Sequence, residues 1–348
     1  MLVSAYGGRL RSKVEALQDL LEQRHCFEGL VLPRVILPPL GRDDHLTGDL
    51  SGACLATGQY LAAACFQERA AGGQAQQRAA ASAGALLRLQ EITGQPGVLA
   101  RAFKAAAGPT WDETLYPGPW HQMGVYRWLG APDTPALVGR TFGLCLYHDL
   151  AADEPQRGRL AADLAAVAER AREHGMRLVD ERGAVTTSLH DGAHVLLGLH
   201  LLKCADHLLG EERFQRHYLE LATEQHLAQV AQAGPPPLVG LMALYHLLAY
   251  EQDPDLAAYY RIALEQYWQA PRREECPLVD LVYHAYQPQA EMSPALVDYF
   301  RAYQPPRRRL ALQPEGGEAV EAATEDSPHL PLLCYWMARH YGFLTEEA

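Results

Sequence analysis

The chain has 348 residues and is 48% hydrophobic, enough for a large core and consistent with one domain over 1–348. A net charge of −12 with no basic stripe argues against a phosphate-backbone binder, so no nucleic-acid partner is expected. The chain contains no apolar run of the roughly 18 residues that a membrane span needs. Its first residues, with Arg9, Arg11 and Lys13 following at once, do not read as a secretory signal, so the chain is expected to be cytoplasmic and off the membrane. The seven cysteines show no CxxC spacing, and Cys54, Cys65, Cys145 and Cys204 fall inside apolar helical runs. Reduced, buried thiols fit that pattern better than a disulfide frame or a zinc knuckle.

Helical periods follow one another along the chain. Val14, Leu17, Leu20 and Leu21 recur at helical spacing. The Ala-rich stretch from Leu50 to Arg69 is apolar on most faces, as expected of an inner helix packed on two sides. Gly72-Gly73 ends it, and Gln77 to Thr93 is its partner, stopped by Gly94-Gln95-Pro96-Gly97. From Gly94 to Pro132 no helical period persists. Five prolines stand there with Trp111, Trp120 and Trp128, which predicts an ordered loop over one mouth of the helical array.

Helices are then expected over Thr134 to Leu150 and Glu154 to His174. A small hairpin at 178–185 turns near Glu181 to Gly183. Further helices are expected over His190 to Leu209, Glu211 to Val230, Leu238 to Tyr250 and Pro254 to Trp268. Shorter ones follow at Leu278 to Tyr286 and Ser293 to Tyr303. The run Arg307-Arg308-Arg309 reads as a solvated turn and Gln313 to Ser327 as an acidic surface loop, before a last helix from Pro331 to His340. About twelve helices joined mainly by short turns imply antiparallel neighbours. With almost no strand signal, the expected fold is all-α, six helical hairpins closed as an (α/α)6 toroid.

Several segments, in order, resemble bacterial six-hairpin glycosidase-like proteins. They are Gln90-Glu91-Ile92-Thr93-Gly94-Gln95-Pro96-Gly97, Phe142-Gly143-Leu144 with Tyr147-His148-Asp149-Leu150, His174-Gly175 with Arg177-Leu178-Val179-Asp180, Ala249-Tyr250-Glu251-Gln252-Asp253-Pro254, and Tyr335-Trp336-Met337-Ala338-Arg339-His340-Tyr341-Gly342. The resemblance implies a toroid with a saccharide cleft. It also implies acids in a "WKGDTSSDExxGH" segment. Here Trp128, Gly130 and Gly139 match, but Ala131, Pro135 and Ala136 stand at the acidic positions and Arg140 at the histidine.

Glycoside hydrolysis needs two carboxyl groups about 5–10 Å apart, one of them with a raised pKa. The candidate catalytic acids at the expected mouth are Asp43, Asp44, Asp112, Glu113 and Asp133. Candidate ligand-binding residues are Trp111, Trp120 and Trp128, whose faces suit sugar rings, with His121, Arg140, His190 and His194. Asp49 is the expected N-cap of the helix that follows it. His190 and His194, four apart beside Asp191, would share one helix face. An HExxH run and a third ligand are both missing, so no metal and no cofactor are expected.

Two readings stay open: a carbohydrate-active domain that binds or cleaves an oligosaccharide, and a catalytically degenerate scaffold for a protein or small-molecule partner. A metal-dependent enzyme built on His190, Asp191 and His194 is a third.

Overall fold

The computed structural model describes residues 10–36, 45–107, 113, 118–230, 237–270, 276–287, 295–312 and 320–345. Among them the molecule is mostly helical, and no helix is long and apolar enough to cross a membrane.

Helix α1 (Leu10–Leu20) runs into a π turn over Leu21–His25, burying Leu10, Val14, Leu17 and Leu21. Helix α2 (Ala53–Ala71) is buried on nearly every face as far as Phe66. It ends where Gly72, at φ +65°, turns its N–H back onto the Gln67 and Glu68 carbonyls. Its partner is α3 (Ala75–Glu91). Helices α4 (Thr134–Leu150) and α5 (Glu154–Glu173) form the next pair. Each starts on an aspartate cap with proline in the first turn, and Asp153 completes a capping box with Gln156. Then come α6 (Val195–Leu209), α7 (Glu212–Leu221) and α8 (Glu224–Val230), followed by α9 (Pro237–Tyr250) and α10 (Pro254–Gln269). The last helices are α11 (Pro277–Tyr286), α12 (Ala295–Ala302) and α13 (His329–His340).

Helix α2 packs on α4, α4 on α6, α6 on α9, α9 on α11, α11 on α13, and α13 on α2. Helix α4 also meets α9. The α2–α4 contact is the tightest that the glycines reveal. A Cβ on Gly58 would overlap the Gly139 carbonyl, and one on Gly143 would stand 2.7 Å from the Gly58 oxygen. The pairing order, Cys54 with Ala136 and Gly58 with Gly143, shows that the two helices run parallel. Phe66, Phe142, Met242 and Tyr245 are buried among α2, α4 and α9, and Gln59 donates to the Met242 sulfur.

Strands modify the expected picture. The segment read as a loop holds a three-stranded antiparallel sheet, in which the strand Tyr126–Leu129 lies between Ala102–Ala105 and Trp120–Met123. Strands of four residues are too short to show an alternating pattern against the prolines around them. The expected hairpin is present as Arg177–Val179 paired with Val185–Ser188. The expected acidic loop is in part a strand, Val320–Glu325, paired with Arg307–Leu312 and with Arg34–Ile36. The three arginines therefore open a strand rather than form a turn, though all three stay exposed.

The turns from α2 to α3, α4 to α5, α6 to α7 and α9 to α10 are short. The longer returns carry sheets before α4, α6 and α13, so the strands gather at the N-terminal ends of these three helices.

Candidate functional site

At the strand-bearing end, Asp43, Asp44, Trp111 and Asp112 lie outside the described residues. Glu113 is gripped by the Arg127 guanidinium, with Nε at 2.7 Å, and by Lys104 Nζ at 2.9 Å. Burial pushes its carboxyl up, but hydrogen bonds from Arg127 and Lys104 win and hold it below the ordinary range. Asp133 caps α4 by accepting from the Ala136 N–H at 2.9 Å and pairs with Arg101 at 2.7 Å. Burial raises its carboxyl despite Arg101. Asp49 caps the turn before α2, accepting from the Ser51 N–H as the sequence implied.

Trp120, His121 and Trp128 do come together in the sheet. The His121 ring stacks on the buried Trp128 at 4.2 Å, and Lys104 Nζ lies over the Trp120 ring. His121 Nε2 faces the Glu181 carboxylate at 2.9 Å. Arg140 is not at a mouth: it is 1% exposed, ion-paired with Asp163 and bonded to the Leu86 carbonyl. His190 and His194 do not share a helix face. His190 lies in a bend, bonded to Ser188 at 3.1 Å, and His194 closes a 3-10 turn over Gly192–His194 before α6 begins. Gly192, at φ +52°, interrupts the helix that periodicity alone would extend back to His190.

The opposite end carries a denser cluster, which no spacing in the sequence announced. The C-termini of α4, α6 and α9 converge there, and the Asp149 carboxylate is its hub. It receives His148 Nδ1 at 2.8 Å, His207 Nε2 at 3.0 Å and the Tyr250 hydroxyl at 2.8 Å. Desolvation pushes Asp149 up, but these three donors together draw its pKa well below the usual carboxylate value. The His207 ring stacks on Tyr250 at 3.7 Å, and Tyr250 lies parallel to the His246 ring at 5.1 Å.

One helical turn deeper, Cys145, Cys204 and His246 hold their ligand atoms within 4.8 Å of one another, all buried. His200 Nε2 meets His246 Nδ1 at 3.1 Å, and Cys204 Sγ lies 3.8 Å from that same nitrogen. Burial keeps both imidazoles neutral, taking His200 down to about 3.

Beside the cluster opens a polar depression of about 350 Å³, lined by Lys203, Asp206, His207, Tyr218, Tyr250 and Glu251. Lys203 bridges Asp206 and Glu251 at 3.7 and 3.5 Å, and its ammonium lies over the Tyr218 ring. A larger cavity of about 740 Å³ lies between α1 and the strand that follows Pro305-Pro306. The acids among its lining residues are Asp19 and Glu325, and Glu325 is tied to Arg24, His25 and Arg307.

No family model matches the chain, and the comparisons with curated proteins and with solved structures found no match.

Proposed function

We propose that the chain is an (α/α)6 toroid that binds a small polar ligand without cleaving it, a catalytically degenerate member of the glycosidase-like architecture. The cycle of contacts α2, α4, α6, α9, α11, α13 and back to α2 supports six hairpins closed on themselves. The observation that carries the binding reading is the fate of the two candidate acids among the described residues. Glu113 serves two cations and Asp133 serves a helix start and an arginine, so neither is free to protonate a leaving group. The ligand site is the depression beside His207 and Tyr250, where cation, carboxylate, imidazole and phenol groups converge on solvent. The free thiols suit a reducing, cytoplasmic setting.

The test is turnover of 4-nitrophenyl glycosides of the common hexoses beside a thermal-shift screen of polar metabolites. The expected result is no phenolate release, and a metabolite whose stabilisation is lost in Tyr250→Ala. Sustained release would overturn the proposal.

One observation favours saccharide cleavage as a second reading. The Glu181 carboxylate is nearly buried against His121, which stacks on Trp128, and lies beside Gly130 at the strand-bearing end. Under that reading release occurs and Glu181→Gln abolishes it with the fold intact.

A further inference from the structure

We propose that Cys145, Cys204, His246 and His200 form a closed zinc site inside the molecule, between α4, α6 and α9. Three features converge on it. First, the donors are of the right kind, and three of the four already stand together. Two thiols and two imidazoles are a common structural zinc set, with metal bonds of about 2.3 Å to sulfur and 2.0 Å to nitrogen. Tetrahedral ligands around such an ion stand about 3–4 Å apart. Here Cys145, Cys204 and His246 hold their ligand atoms within 4.8 Å of one another, with Cys204 Sγ 3.8 Å from His246 Nδ1. His200 stands outside that group of three, with its Nε2 3.1 Å from the same His246 nitrogen, and is the fourth ligand the site would draw in.

Second, the charge balances. Zn²⁺ held by two thiolates and two neutral imidazoles is a neutral unit, the form in which a divalent ion can sit in a core where all four side chains are buried. Binding releases both thiol protons to solvent and leaves the histidines unprotonated.

Third, packing alone leaves the histidines poorly served. Both are fully buried and share one hydrogen bond, while His200 Nδ1 and His246 Nε2 have no partner among the described residues. Zinc on His200 Nε2 and His246 Nδ1 would replace that single shared hydrogen bond with two metal–ligand bonds and so anchor two rings that packing holds by little else.

The fold also offers a way in. His148, Asp149 and His207 present a second set of ligand atoms within 4.8 Å of one another, partly exposed, one turn above the buried set on α4 and α6. Tyr250 separates the two tiers, stacked against His207 on one side and facing His246 on the other. An ion captured by the outer imidazole–carboxylate set passes inward when Tyr250 swings aside. Thiolate then retains it, because zinc prefers sulfur and nitrogen to a single carboxylate.

The experiment is metal titration of the full chain, freed of metal with chelator and kept reduced. Zinc is added against a chromophoric chelator in weak buffer with a pH indicator. Cobalt(II) is added in parallel and read by absorption. The expected results are one tight zinc per chain, release of about two protons, and a cobalt spectrum with both tetrahedral d–d bands and a thiolate charge-transfer band. Cys145→Ala with Cys204→Ala should lose the charge-transfer band and weaken zinc by more than a hundredfold. Asp149→Asn should keep the spectrum and slow loading. If the cysteine variant does not fold, the proton count and the cobalt spectrum of the unaltered chain decide alone. Absence of tight zinc, a cobalt spectrum without thiolate character, or unchanged affinity in the folded cysteine variant would overturn the site.

Discussion

Single side chains in this molecule are mainly committed to one another, and the buried ion pairs show it most clearly. Arg140 and Asp163 face each other in the core, Arg140 at 1% exposure. Removing one partner of such a pair strands a charge at a cost of about 3–5 kcal/mol. Asp163→Ala should therefore lose stability of that order in urea unfolding, and a loss below about 1 kcal/mol would show that the pair is solvated.

Glu325 offers a pH test. Burial opposes its ionisation, but hydrogen bonding to His25 and the charges of Arg24 and Arg307 bring its carboxyl down to about 2. A carboxyl depressed on folding contributes stability that is full above its ordinary pKa, near 4.5, and is lost as pH falls through that value toward 2. The stability gap between the unaltered chain and Glu325→Gln should shrink across that window. A gap constant with pH would remove Glu325 from the acid response.

The elements pair by rules that the sequence states openly. Aspartate caps before proline, glycines after apolar runs and Ala-rich periods mark the helices, and the helical content was legible from them. The short strands were not. Phe103, Lys104 and Trp128 become strand residues through pairing with distant partners, and nothing within four residues encodes that. Of the residues expected at one site, Trp120, His121 and Trp128 do gather in one sheet, while Arg140 lies in the core and His190 and His194 precede α6 without sharing a helix face. The Asp149 cluster was not legible, because its members sit on three helices and only folding aligns the helix ends. Its residues Tyr147-His148-Asp149 and Ala249-Tyr250-Glu251 do lie in segments that the resemblance picks out.

The α2–α4 crossing gives the element-scale prediction. Gly58→Ala places a methyl group into the α4 backbone and should cost about 3 kcal/mol or more, as overpacking does where only backbone can yield. Gly84→Ala in α3, where nothing lies within 4 Å of the new atom, should instead gain about 0.5–1 kcal/mol. Thermal unfolding of both variants checks the pair. Equal effects would mean that the close approach of α2 and α4 does not govern.

At the scale of the whole molecule, the two ends have divided their work. Strands and long returns gather around the N-termini of α4, α6 and α13, and their charged groups are largely spent on local order. The C-termini of α4, α6 and α9 leave by short turns and expose imidazole, phenol and carboxylate groups beside an open depression. The interior between them is packed with aromatic and apolar side chains, with the thiol and imidazole group in its midst.

All of this requires the helices to close on themselves, with α13 against α2. An open superhelix of the same hairpins would set those two far apart. Small-angle X-ray scattering of the monomer is the direct measurement. A closed array of this length should give a radius of gyration of about 20 Å with a single compact distance distribution. A clearly larger radius with a long tail in that distribution would contradict it.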